Sequence, residues 1–295
     1  MAKQIEPVKI AVIGGSGITQ ISGIDSVTEV YIDTPFGKPS APITIGTIDG
    51  VRVAFLPRHG KNHTILPSEI NNRANIYALK SLGVEQIISL TAVGSLQQNI
   101  KPKDFVIPEQ VFDKTKNRIN TFFGNGIVAH IGFADPFCND LRDIIHKGVT
   151  ELGIQHHFSD TIYLCIEGPQ FSTRAESKIH QKNGFSVVGM TVLPEAKLAR
   201  EAEICYANIA LVTDYDVQKI GEEVAVEKVL EVMEYNSTTC AKLIKLLIPK
   251  VAERQTKCNC QHALKNAVQT SKDAVTIAPA YKDLSLLLDK YFKKN

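Results

Sequence analysis

Short runs of apolar residues, most of them uninterrupted by polar positions, recur along the chain. Continuous runs are typical of strands that are buried on both faces, whereas strands with one exposed face alternate. The runs predict strands over 8–13, 51–56, 86–92, 105–107, 161–166, 186–188 and 209–213. Helical patterns lie between several of them. The chain is therefore predicted to form an α/β fold, with a mostly parallel or mixed sheet covered by helices.

Three helices have recognisable ends. Ser68 is expected to cap a helix that ends at Gly83. Pro194 suits the first position of a helix through Cys205, because proline lacks the N–H that this position leaves unpaired. A third helix, long or broken, is predicted over 222–247.

Pro249 is expected to end that third helix, and the chain beyond it has a different character. It is polar, contains a Cys-x-Cys motif, and includes a short amphipathic helix around Leu284. We predict a single domain over 1–295, with a core of about 9–250 and a C-terminal extension of about 251–295.

The composition is that of an ordinary globular protein. The 295 residues are 44% hydrophobic and 22% charged, which excludes a disordered or fibrous chain. The formal net charge of +2 predicts no strong attraction to nucleic acid or to an anionic membrane. No apolar run is long enough to span a bilayer, and no signal-peptide pattern precedes the first strand, so a cytoplasmic location is expected.

Six cysteines are too few for a disulfide scaffold in a chain of this length. Four of them stand among apolar neighbours and are expected to be small buried residues: Cys138, Cys165, Cys205 and Cys240. The other two form the motif Cys258-Asn259-Cys260. The sequence contains no CxxC pair, HExxH or EF-hand loop, so no metal site is predicted.

Several predicted strands end in polar residues that suit an anion. In open α/β sheets, ligands bind beyond the carboxyl ends of the strands. Arginine offers a rigid fork of donors for phosphate, and histidine adds a donor that can be charged near neutral pH. Hydroxyl groups and glycine-rich backbone complete such a site. The residues concerned are Ser16, Arg58, His59, Thr91 and Thr191. Taken singly, the loop with Ser16 is equally compatible with an ordinary turn, and Arg58-His59 with a surface basic pair. A threonine at a strand end, such as Thr91 or Thr191, is nearly always structural when taken alone.

The segment Thr213-Asp214-Tyr215-Asp216 places two carboxylates after an apolar strand. In an extended backbone Asp214 and Asp216 point to the same side. Nearby carboxylates raise each other's pKa, which suits acid–base chemistry. A solvated turn is the alternative. Phe171, in another loop after a strand, is a candidate for stacking on a flat ring or for core packing.

Together these segments resemble the purine nucleoside phosphorylase family, and within it the methylthioadenosine phosphorylase branch. The resemblance runs in order from about Lys9 to about Leu247 and rests on the segments 13–17, 33–40, 58–60, 63–67, 91–95, 167–172, 189–191 and 213–216. It implies a three-layer α/β/α fold around a mixed, partly barrel-like sheet. It also implies a homotrimer, or a hexamer of two trimers, with active sites near subunit boundaries.

The resemblance assigns a role to each matching residue. The implied phosphate ligands are Ser16, Arg58, His59, Thr91, Ala92 and Thr191. Met190 matches the residue beneath the ribose, and the implied base site contains Phe171, Ser172, Asp214, Tyr215 and Asp216. Val226 and Val229 fall where the family lines a methylthio pocket, and His130 resembles a residue that reaches this pocket from a neighbouring subunit.

The implied reaction is phosphorolysis of S-methyl-5′-thioadenosine to adenine and 5-methylthioribose 1-phosphate. Inorganic phosphate is a co-substrate of this reaction, and no metal or cofactor is implied. Asp214, if protonated, would donate to N7 of the leaving purine, and Asp216 would accept from the 6-amino group. Gly189 departs from some relatives, which have asparagine there. The Cys-x-Cys motif resembles one that is oxidised in archaeal-type members.

Three alternatives stay open at this point. A methylthioinosine or general purine nucleoside phosphorylase would share the phosphate site, although the Asp214/Asp216 pair favours a 6-aminopurine. A nucleosidase would use water instead of phosphate. The implied phosphate ligands argue against this alternative. A non-catalytic nucleoside-binding module on the same fold is the third.

Overall fold

The computed structural model describes residues 6–15, 24–216, 226–255 and 257–293, without the side chains of 226–230. Its strands are β1 Ile10–Gly14, β2 Asp25–Val30, β3 Ile43–Ile48, β4 Val51–Pro57, β5 Gln86–Ser95, β6 Phe105–Val106, β7 Gln110–Lys114, β8 His156–His157, β9 Ile162–Ile166, β10 Val187–Gly189 and β11 Cys205–Tyr215. Its helices are α1 Asn72–Ser81, α2 Asn139–Glu151, α3 Arg174–Lys182, α4 Val192–Glu201, α5 Val226–Ala252, α6 Lys272–Ile277 and α7 Tyr281–Phe292.

The strands form one mixed sheet that divides at β5. Strand β5 pairs in parallel with β1 on one side and with β11 on the other. The last residues of β5, Gly94 and Ser95, also pair with β10 in antiparallel fashion. The far strands β9 and β7 continue from β10, whereas β6 and β8 continue from β11. The carboxyl end of β5 therefore lies between two branches of the sheet.

The side chains of the central strands alternate between two apolar layers. Ala11 and Ile13 of β1 pack in the same layer as α1, α4 and α7, whereas Ile10 and Val12 pack in the layer formed with α2 and α5. Alternation places successive side chains on opposite faces, and here both faces are covered. The predicted three-layer α/β/α fold with a mixed sheet is confirmed.

Helix α1 begins later than predicted. Asn71, not Ser68, is its N-cap: the Asn71 side chain accepts from the Ala74 N–H at 3.1 Å and donates to the Phe36 carbonyl at 2.7 Å. Asparagine caps as well as serine does. The contact with Phe36 is a tertiary bond that the local sequence does not reveal.

Two other predicted boundaries also differ. Helix α4 ends at Glu201, and Cys205 is the first residue of β11 rather than the end of the helix. Glu203, with φ +56°, makes the turn between them. Helix α5 continues past Pro249 to Ala252, because a proline so close to the end removes only one late hydrogen bond. No helix in the described part of the chain is both long and apolar enough to cross a bilayer.

The C-terminal extension packs into the core. Leu284, Leu287 and Leu288 of α7 are buried in the apolar layer that also contains α1 and α4. The buried Glu203 carboxylate accepts from the Leu264 N–H at 3.0 Å and from the Tyr291 hydroxyl at 2.6 Å. The extension is thus held both by apolar contacts and by a buried carboxylate.

We predict that Leu288→Ala lowers the free energy of unfolding by about 2–5 kcal/mol, because it opens a cavity in the core. The matched control is Leu286→Ala on the same helix, where the side chain is 39% exposed and less than about 1 kcal/mol should be lost. Urea unfolding of both variants measures the difference. Equal losses would show that α7 does not contribute to the core.

Candidate active site

Arg58 follows β4 and is completely enclosed by the ends of neighbouring elements. Its guanidinium donates to both carboxylate oxygens of Glu195, at 3.1 and 3.0 Å, and to the Leu90 carbonyl at 2.6 Å. It also donates to the Ser89 hydroxyl at 2.8 Å. These bonds use all but one of its five N–H groups. Arg58 is therefore a fixed charge with one donor left for a ligand.

His59 is neutral at physiological pH, which differs from the expectation of a donor charged near neutral pH. Its ring nitrogen Nδ1 lies 2.8 Å from the Ile65 carbonyl, which can only accept, so Nδ1 carries the proton. Burial lowers the His59 pKa to about 4, and the Arg58 charge adds to the effect. The Nε2 atom is consequently a hydrogen-bond acceptor.

Thr91 and Thr191 lie on either side of a buried tyrosine hydroxyl. The Thr91 hydroxyl donates to Asn208 Oδ1 at 3.2 Å. The Tyr163 hydroxyl lies beside both threonines, and burial raises its pKa. It has no hydrogen-bond partner among the described residues. Buried polar atoms are nearly always paired, so either one of the two threonine hydroxyls or a bound ligand must complete the hydrogen bonding of this hydroxyl.

The same tyrosine explains the glycine that departs from some relatives. A Cβ atom at Gly189 would lie 1.9 Å from Tyr163 Oη, far inside van der Waals contact. Gly189 and Tyr163 are thus sterically coupled. Thr191 and Met190 follow directly after Gly189, so the tyrosine also constrains the loop that carries these two predicted site residues.

Asp214 and Asp216 both lie beside Gly94 at the division of the sheet. A Cβ at Gly94 would be 3.2 Å from Asp214 Oδ1 and 3.4 Å from Asp216 Cβ. A register shift between Val212 and Asp214 sets this arrangement. Burial raises the pKa of both carboxyl groups; the Thr213 hydroxyl opposes the rise at Asp214, and the neighbouring Asp214 adds to it at Asp216.

The loop after β9 is held by Arg118, a residue that belongs to none of the motifs found in the sequence. Arg118 donates to the Glu167 carboxylate, to the Glu167 carbonyl at 2.6 Å and to the Met190 carbonyl at 2.6 Å. It therefore joins the predicted base-site loop to the predicted ribose loop. Phe171 is 82% exposed, and the buried Ser172 hydroxyl has no partner among the described residues.

One predicted site residue, His130, is not brought into this group, and three others lie wholly or by their side chains outside what the structure describes. Ser16 lies outside the described residues, and the side chains of Val226 and Val229 are likewise outside them. His130 is exposed, and its N–H donates to the Ala267 carbonyl of the extension at 2.9 Å. Tyr163, Arg118 and Glu195 were missed by sequence reasoning, because an isolated residue inside a strand, loop or helix carries no local motif.

Comparison with known proteins decides the family. The model of the phosphorylase superfamily matches residues 9–249. The chain belongs to this superfamily. An S-methyl-5′-thioadenosine phosphorylase of Koribacter versatilis is 46% identical over 285 residues, which cover 96% of this chain and 97% of the relative.

Solved structures agree with this assignment. A methylthioadenosine phosphorylase from an antarctic soil metagenomic library superposes with a TM-score of 0.91 at 44% identity, covering 96% of this chain and 99% of the other. Methylthioadenosine phosphorylase from Schistosoma mansoni in complex with adenine gives a TM-score of 0.83 at 36% identity, covering 89% of this chain and 99% of the other.

We predict that Gly189→Ala is destabilising by about 1–3 kcal/mol, because the new methyl group overlaps the Tyr163 hydroxyl. In a Tyr163→Val background, Gly189→Ala should lower the free energy of unfolding by much less, because the ring that overlaps the new methyl group is absent. Thermal unfolding of the four proteins in this cycle gives the coupling free energy. Additive effects would refute the steric account.

Proposed function

We propose that this chain catalyses phosphate-dependent cleavage of S-methyl-5′-thioadenosine to adenine and 5-methylthioribose 1-phosphate. It is a pentosyltransferase of methionine and purine salvage. The named relatives support this assignment over most of the length of the chain. The observation that carries the proposal is the pair of carboxyl groups at Gly94, one buried and one half-buried, whose pKa values are both raised.

Inorganic phosphate is proposed to bind at the ends of β1, β4 and β5. The remaining Arg58 N–H supplies a charged donor, and Thr191 and the Ala92 backbone supply neutral ones. The neutral His59 Nε2 accepts the hydrogen of a protonated phosphate oxygen. The Tyr163 hydroxyl adjoins the same place, which would give its unpaired oxygen a partner. Ser16 is the last of the proposed phosphate ligands, and its assignment rests on the family resemblance alone.

The spacing along β5 suits a nucleoside. Arg58 is bonded to Leu90, and Thr91 follows it, whereas the two carboxyl groups flank Gly94. Three residues of extended strand separate Thr91 from Gly94 by roughly 10 Å. A ribose above Met190 would bridge phosphate at one end and the purine at the other.

Phosphate attacks the anomeric carbon as the bond to the purine breaks, and positive charge develops on the ribose. The bound phosphate is the nucleophile, so the protein mainly positions it and stabilises charge. The purine must not leave as an anion. The raised pKa of Asp214 favours its protonated form, which donates to N7. The Thr213 hydroxyl, 2.6 Å from Asp214 Oδ2, orients the group.

Asp216 is proposed to select a 6-aminopurine. One of its oxygens, Oδ2, is buried without a partner among the described residues, as is the hydroxyl of Ser172. Once Asp214 is protonated, its charge no longer raises the pKa of Asp216, and the Ser177 and Ser172 hydroxyls favour the carboxylate form of Asp216, which would accept from the 6-amino group. A 6-oxopurine would instead present a carbonyl oxygen to it, a mismatch that costs roughly 10⁴-fold in comparable sites. Phe171 and Tyr215 complete the proposed base site.

Val226 and Val229 are proposed to line the methylthio pocket, which would favour methylthio over hydroxyl by about 1–3 kcal/mol. His130 is proposed to reach this pocket from a second subunit, in a homotrimer or hexamer. Exposed apolar side chains near the base loop, Phe171, Phe112 and Ile179, support self-association. The cytoplasmic location stays a prediction.

We predict that Asp216→Asn lowers the preference for methylthioadenosine over methylthioinosine by about 10²-fold or more, because the amide can donate to a 6-oxo group. The measurement is kcat/KM for both nucleosides at saturating phosphate. Asp273→Asn, an exposed carboxylate of the extension, is the control and should leave the ratio unchanged. An unchanged ratio in Asp216→Asn would remove the proposed role of Asp216.

A further inference from the structure

Four cysteines from three separate parts of the chain meet at one buried point. Cys138 precedes α2, Cys205 begins β11, and Cys258 and Cys260 belong to the extension. Their four sulfur atoms all lie within 4.8 Å of one another, and the Cys205 and Cys258 sulfurs are 3.4 Å apart. Three of the residues are buried and Cys258 is half-buried. We call this group the cysteine cluster.

We propose that the cysteine cluster is a structural zinc site with four thiolate ligands. Zinc in structural sites is tetrahedral, and a Zn–S distance of about 2.3 Å places the sulfurs about 3.8 Å apart. The observed spacing is therefore close to that of a filled site. Binding releases to solvent the proton of each thiol that is still protonated, and it needs no oxidant.

The surroundings of the cluster favour anionic sulfur. The Arg254 guanidinium lies 3.0 Å from the Cys205 sulfur, 3.6 Å from Cys138 and 3.9 Å from Cys258. A zinc ion with four thiolates carries a net charge of −2, which one guanidinium partly offsets. Donors to ligand sulfurs are the usual outer partners of such sites. A pair of neutral disulfides would offer this half-buried guanidinium no negative charge to pair with.

The backbone of the Cys-x-Cys segment is held in place before any metal binds. Asp140 Oδ2 accepts from the N–H groups of both Lys257 and Cys258, each at 2.9 Å. A short 3-10 turn begins at Cys260. Two ligands thus come from a fixed loop and two from the core, which is the arrangement that a structural ion stabilises most.

The site would attach the extension to the core and take no part in the chemistry. Cys205 and Asp214 stand at opposite ends of β11, roughly 30 Å apart at the rise of an extended strand. The inference is independent of the proposed function. It departs from the sequence-based expectation of no metal site, because the four ligands become neighbours only in the fold.

The test is the zinc content of the full chain purified under reducing conditions with zinc present. About one zinc per chain is expected for the wild type and for Cys240→Ala, a buried cysteine outside the cluster. Cys258→Ala should lose the metal, and Cys258→His should retain it, because imidazole also binds zinc. Adenine release should be unaffected in Cys258→Ala, which verifies folding.

Two further measurements detect the metal site by its spectrum and by its effect on stability. Cobalt(II) bound to the wild type should give the absorption of a tetrahedral thiolate complex, and a strong chelator should lower Tm in the wild type but not in Cys258→Ala. The proposal is overturned if the wild type with free thiols binds no metal. It is also overturned if the four thiols are isolated as disulfides without metal, or if Cys258→Ala keeps its zinc.

Discussion

The buried ion pair of Arg58 and Glu195 determines the arrangement of the site. Burying two charges is costly unless each is paired and fully hydrogen-bonded. Glu195 meets this condition by also accepting from the Ser89 and Tyr206 hydroxyls, each at 2.8 Å. The pair therefore joins β4, β5, β11 and α4 at one point. A positive charge is fixed there with a single donor directed at a ligand, and the side chain needs no reorganisation on binding.

The division of the sheet at β5 supplies the other half of the site. At Gly94, the strand that carries Thr91 pairs with β10 on one side and stays paired with β11 on the other, across a register shift between Val212 and Asp214. Because Gly94 has no side chain, the two carboxyl-bearing residues fit beside it, and their partial burial raises the pKa values of both carboxyl groups. The proposed phosphate ligand Thr91 and the proposed purine ligand Asp214 thus lie on the paired strands β5 and β11. The distance between them is set by the backbone rather than by flexible side chains.

Much of this could be predicted from the sequence. Continuous apolar runs located most central strands, and the polar residues at their ends, such as Arg58 and Asp214, were found as motifs. Features that depend on tertiary contacts could not be predicted from the sequence. For example, Asn71 rather than Ser68 caps α1, because Asn71 also bonds to Phe36. Glu195, Arg118 and Tyr163 have no local signature, and the four clustered cysteines are far apart in sequence. The charge state of His59 depends on its burial, which no local pattern reveals.

The most direct test of the account is adenine release from S-methyl-5′-thioadenosine with and without inorganic phosphate. In the proposed site, the buried Arg58 donor and the neutral His59 bind phosphate as the nucleophile. We expect adenine to appear only when phosphate is present, together with an equal amount of 5-methylthioribose 1-phosphate. Release of adenine and free methylthioribose at the same rate without phosphate would contradict the account and would assign the site to hydrolysis.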